Sequence, residues 1–328
     1  MKKSTQLASW SCTGGKSEES FFGHFDKDKI HIRNVTELNI QLNSEPNKKD
    51  QENQKMSEPS ILDFIAEYKP KKMIFDIPLS QPLCATCDLL CPGMELCPKK
   101  SFVEIRLKIE ELLKEDHLFQ STSPKRYERE REELDLVKYN YPLLDKRTDV
   151  PLLSRSFKRK LRRGVLPYWN RPLDFWIWMN YFDAWLKIFG SSYDSFGQSS
   201  PIHWAQMTYW KKHFPQNLAL YETMPQLVLL ELHRGNILSK KKLLQLFDFD
   251  QAPFARLDTI NTLSELLGFQ MTEATIDNIV RYPRAFNSAL LLLALMQEEK
   301  GKYFDLSHSA FLMDSGNSHF LVSHFLQN

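Results

Sequence analysis

Over much of the chain's second half, apolar residues return every three or four positions, a spacing that predicts helix. In Leu173–Phe189, residues Phe175, Trp178, Phe182, Trp185 and Phe189 fall at i, i+3, i+7, i+10 and i+14. They form one continuous stripe, so this helix is expected in the core. Between Ser101 and Phe119 the apolar residues Phe102, Ile105, Ile109, Leu112 and Leu113 keep the same period. Ser101 is placed as its N-cap, with Glu104 at the capping-box position. Ser123–Tyr139 continues as a charged helix whose opposite charges three and four residues apart support one another. Ile61–Tyr68 reads as a short helix, with Ser60 as N-cap and Pro70 as its stop. Alternation is rarer: Lys29–Leu42 holds one short strand and Lys72–Leu79 another. Residues 43–60 show no apolar periodicity, and the whole stretch 1–58 reads as a polar, disordered tail.

The last hundred residues carry a repeat. Gly235, Gly268 and Gly301 are spaced 33 apart, each after an apolar helical run, where a left-handed residue ends a helix. In register, Ser239 matches Thr272, both suited to an N-cap. Leu243, Leu246, Phe247 and Phe249 match Ile276, Ile279, Val280 and Tyr282, and Asp305 opens a third unit. Helix, turn, helix, glycine at this period is typical of stacked helical hairpins, although the ankyrin and tetratricopeptide signatures are absent. The expected fold is therefore mainly α: an irregular helical bundle or helical-hairpin array, with a small cysteine-rich metal module and a disordered N-terminal tail. The boundaries fall at 1–58 for the tail, 59–100 for the module, 101–167 for a charged helical connector and 168–328 for the helical domain.

Composition supports helix: glycine is scarce, 11 of 328 residues, and Phe, at 22, is plentiful. A net charge of +2 singles out neither nucleic acid nor acidic lipid, so such a signal must be local. No apolar segment follows the basic N-terminus, and the run Ala289–Met296 is too short to span a bilayer. The expectation is an intracellular, cytoplasmic chain without a transmembrane segment.

Four of the five cysteines lie close together as Cys84-x2-Cys87-x3-Cys91-x5-Cys97. The x2 pair can close a tight turn, and Pro82, Pro92, Gly93 and Pro98 are residues such loops use. Four thiolates suit a tetrahedral zinc ion, which would be coordinatively closed and structural. An iron–sulfur cluster is the alternative, and unligated or disulfide-forming thiols the third reading. Cys12 is too distant in sequence to be included.

Arg155, Lys158, Arg159, Lys160, Arg162 and Arg163 form a basic stretch without an acid, with Leu153, Phe157 and Leu161 as an apolar stripe. Such a helix docks by its stripe and offers charge to a polyanion. It equally suits an anionic membrane surface, an acidic protein or nuclear import machinery. Two motifs are set aside. Residues 12–17 end like a phosphate-binding loop, but Trp10 stands where its first glycine belongs, and no strand or helix is expected around it. His308, Asp314, Ser315 and His319 are triad residue types without a nucleophile elbow. The sequon at Asn34 needs a secretory route to be used. Six of the seven tryptophans fall between Trp169 and Trp210, at spacings that suit a core better than a stack of bases.

With no glycine-rich cofactor loop and no acid–base pair, the functional expectation is a non-enzymatic intracellular adaptor or assembly protein. It would bind protein partners through its helical surface, with a structural four-cysteine metal site. The first alternative is a nucleic-acid-binding protein that sets the 154–164 helix beside a zinc module. The second is an iron–sulfur redox protein.

Overall fold

Lys29–Asn34 (β3) is the strand its alternation predicts, but it has company. Phe21–Asp26 (β2) joins it through Lys27 and Asp28, both at positive φ, 45° and 67°. That is the two-residue turn whose twist matches a hairpin. Leu7–Ser11 (β1) pairs antiparallel with β2, Trp10 opposite Phe22. Lys72–Phe75 (β4) lies parallel to β1 on its other side, and Ala219–Glu222 (β5) lies parallel to β4. Gln270–Met271 (β6) adds a short parallel edge to β3. The computed structural model describes residues 7–11, 20–35, 61–85, 87–129, 171–174, 176–177, 179–181, 201–304, 306 and 320–325.

This mixed six-stranded sheet, in the order β5-β4-β1-β2-β3-β6, overturns the mainly α expectation. It also overturns a wholly disordered N-terminal tail, because three of its strands lie within the first 35 residues. The physical reason is burial on both faces. All five residues of β1 are buried, two of them serines, so the strand shows neither alternation nor a clean apolar run.

Helices cover both faces. Pro283–Glu299 (α8) crosses one of them and is buried without a break from Ser288 to Gln297. Ser9 Oγ bonds the Ser288 carbonyl at 2.8 Å, and Gly23 lies where a Cβ would come within 2.6 Å of both Leu292 Cδ1 and Ile32 Cδ1. Pro225–Arg234 (α4) packs on α8. Glu273–Arg281 (α7) packs on β3, where Asn278 Nδ2 donates to the Ile32 carbonyl at 3.1 Å. On the other face, Ile61–Tyr68 (α1) and Pro201–Lys211 (α3) close an apolar cluster that includes Trp10, Phe22, Phe64, Met73, Phe75 and Met207.

The glycine repeat is local rather than architectural. Ser239 caps Lys240–Gln245 (α5) by accepting from Lys242 N, and Thr272 caps α7 by accepting from Thr275 N. Gly268, after Ala252–Leu267 (α6), and Gly301 both take the left-handed conformation at φ 72°. Gly235 does not, at φ −76°. The hairpins do not form an array, because α8 spends its apolar surface on the sheet. Asp305 lies outside the described residues.

The chain divides into two compact units. The α/β unit is Met1–Leu79, Ser200–Phe304 and His319–Asn328; the second is Ser80–Ser199 with Asp305–Ser318. Most of the second unit is thus inserted in the crossover that two parallel strands, β4 and β5, require. Its Lys100–Thr122 helix (α2) starts one residue after Lys99, so Ser101 is a buried first-turn residue and not the N-cap. Phe102, Ile105 and Ile109 face inward as their spacing predicts. Tyr127 is fully buried and its hydroxyl donates to Asp116 Oδ2 at 3.0 Å. Arg171 Nε and the fully buried Asp174 pair at 3.0 Å. Leu173, Trp176, Ile177 and Tyr181 are buried, whereas the stripe positions Phe175, Trp178, Phe182, Trp185 and Phe189 have side chains outside the described set. No single helix among the described residues is long and apolar enough to cross a membrane.

Candidate functional site

The cysteine segment is built from turns. Ala85 N donates to the Pro82 carbonyl at 2.9 Å, and Gly93 supplies a positive φ of 84° before a short 3-10 turn at Met94–Leu96. Arg106 Nη1 from α2 holds the Cys97 carbonyl at 2.8 Å. Cys84, Cys87 and Cys97 are half-buried, Cys91 is exposed, and all four are free thiols. The Cys84 thiol is pushed up to about 11, first by burial and then by the nearby charges of Cys87, Cys91 and Cys97. Among the described residues, no three Cys, His, Asp or Glu side chains form a group set to hold a metal. Three leucines of the same segment face solvent: Leu89, Leu90 and Leu96 are 42%, 99% and 74% exposed.

The basic residues Arg155, Lys158, Arg159, Lys160, Arg162 and Arg163 lie outside the described residues, as do Lys16, His308, Asp314, Ser315 and His319. A strand, β1, does precede residues 12–17, against expectation, and the next described element is β2 of the same sheet. Of the tryptophans, Trp10 packs edge-on against Trp210 in the apolar cluster, centroids 6.4 Å apart.

The sheet creates a site that sequence reasoning missed. Ligands of open α/β sheets gather outside the carboxyl ends of strands, where the strand order reverses. Here the chain leaves β1 toward β2 on one side and returns as β4 on the other, so the reversal lies between β1 and β4. Ser11 ends β1 and Asp76 follows β4; Ser11 Oγ donates to Asp76 Oδ2 at 2.5 Å. Arg284, on the first turn of α8, reaches Asp76 Oδ2 with Nη1 at 3.4 Å. The Asp76 side chain is 4% exposed and that of Arg284 37%. Arg284 has no other hydrogen-bond partner among the described residues. The start of α8 has no side-chain cap, so its first N–H groups add partial positive charge beside that guanidinium. On the opposite face Glu222, fully buried at the end of β5, accepts from Leu79 N and pins the turn after Asp76. Asp76 falls inside the strand expected over Lys72–Leu79; the strand stops at Phe75, two residues before Ile77, and leaves Asp76 at its end. Nothing local marked Ser11 or Arg284, 273 positions apart.

No family model matches this chain, no curated protein matches it, and no solved structure matches it.

Proposed function

We propose that the α/β unit is a binding domain that takes an anionic group, of the phosphate class, at the carboxyl ends of β1 and β4. One observation carries this reading: among the described residues Arg284 meets only a buried carboxylate, through one nitrogen, and its side chain stays 37% exposed. A purely structural guanidinium would be expected to bury its fork on several acceptors. Asp76, held by Ser11, sets the position of Arg284, and the first turn of α8 supports the same charge preference. Calorimetric titration with inorganic phosphate and with phenyl phosphate tests it. Arg284→Ala should weaken binding about tenfold or more, the worth of a charge-assisted hydrogen bond. Unchanged affinity, or no binding by the unaltered chain, would sink the reading.

A second reading concerns the cysteine module and is supported by its three exposed leucines. Zinc, with an iron–sulfur cluster as the alternative, would draw the four thiolates together, since such sites close only as metal binds. The ordered loop then presents Leu89, Leu90 and Leu96 to a protein partner, which keeps the adaptor role but moves it off the helical surface. Nucleic-acid binding rests on the 155–163 stretch alone. Metal content and the absorption spectrum of anaerobically purified protein decide between the metals. About one zinc per chain without visible colour supports the staple; a broad band near 400 nm supports the cluster; no metal removes both.

A further inference from the structure

Across the α1 face of the sheet, from β1 to β3, the apolar residues Ala8, Trp10 and Phe22 give way to His24, His31 and Arg33. His24 and His31 are register partners whose rings stack 4.7 Å apart at 11°. Tyr68, the last residue of α1, lays its ring 4.5 Å from His24, and its hydroxyl accepts from Arg33 Nη1 at 3.2 Å. The neighbouring Glu67 also bonds that hydroxyl. Beside this cluster opens a cavity of about 210 Å³ lined by His24, Asp26, Glu67 and Tyr68, with Ala8 and Pro70 also in its lining. His24 Nδ1 is buried with no hydrogen-bond partner among the described residues.

We infer that this cavity binds a small organic ammonium ion. Its charge balance points there: the carboxylates of Asp26 and Glu67 are on the wall, while the Arg33 guanidinium is engaged on the Tyr68 hydroxyl and is not. Burial, the stacked His31 and nearby Arg33 hold His24 well below its usual range, at about 4, so at neutral pH it carries no charge to repel the guest. Ala8 and Pro70 leave part of the lining apolar, which suits a short alkyl chain. The volume equals about seven waters, smaller than a drug-sized pocket, which limits the guest to a small molecule.

The test is calorimetry on the full chain with butylammonium chloride, against 1-butanol as a neutral isostere, with sodium chloride matching ionic strength. Butylammonium should bind at one site and butanol about tenfold more weakly, because it lacks the charge-assisted contacts. The double variant Asp26→Asn, Glu67→Gln changes two side chains by one atom each and should lose about tenfold or more. Equal affinity for the two compounds, no heat with either, or full binding by the double variant would overturn the inference.

Discussion

His24 shows how one residue's environment becomes a property of the protein. Its ring sits between His31 on β3 and Tyr68 on α1, with Arg33 adding like charge and Asp26 opposing it. The imidazolium is disfavoured in the fold, first by desolvation, and the folded value falls from 6.5 to about 4. His31 is lowered in the same direction, by burial and then by Arg33. The unfolded chain therefore binds more protons than the fold between pH 6.5 and about 4. The contribution is complete above 6.5 and is lost as pH falls to about 4, up to about 3 kcal/mol for His24. Urea denaturation across that window should show stability falling with acid, and His24→Phe should flatten the slope. A slope that His24→Phe leaves unchanged would assign the acid sensitivity to other groups.

At the scale of elements, the molecule turns on how closely α8 approaches the sheet. Gly23 makes this possible: a Cβ there would stand 2.6 Å from Leu292 Cδ1 and 2.8 Å from Ser9 Oγ. Ser9 and Ser288, small and mutually hydrogen-bonded at 2.8 Å, serve the same approach. At the far end of α8, Lys72 of β4 lies 2.5 Å from both Glu298 and Glu299, which fixes the helix at its C-terminus. Gly23→Ala should cost about 1–3 kcal/mol by overpacking, measured as a shift in the urea midpoint at constant slope. A shift close to zero would mean that the flexible ends of Leu292 and Ile32 give way. The caps of this region were readable in the sequence: Ser239, Thr272, Gly268 and Gly301 obey local rules, and each does what its residue type predicts. The strands β1 and β2 were not readable, because Ser9 and Gly23 are fitted to a helix more than 260 positions away and Ser11 to Asp76, 65 positions away.

For the whole molecule, the insertion of most of one unit into the β4–β5 crossover lets the cysteine segment be perturbed without cutting the sheet. Lengthening a crossover carries only a slowly growing entropic cost. If zinc orders the segment 84–97, a strong chelator should lower one thermal transition and leave that of the α/β unit in place. A single transition that the chelator does not move would remove the structural metal.

Local chemistry was decided by the sequence itself: helix periods, the caps Ser239 and Thr272, strands within Lys29–Leu42 and Lys72–Leu79, and the closeness of four cysteines along the chain. These depend on neighbours within a few positions, where spacing and residue type are sufficient. Tertiary structure alone decided that the helices cover a sheet instead of stacking as hairpins. It alone brought Arg284 to Asp76 across 208 positions and Tyr68 to His24 across the face of α1. The physical reason is the same in each case. A strand buried on both faces loses its period, and a polar cluster assembled from separate elements leaves no spacing in the chain for a reader to find.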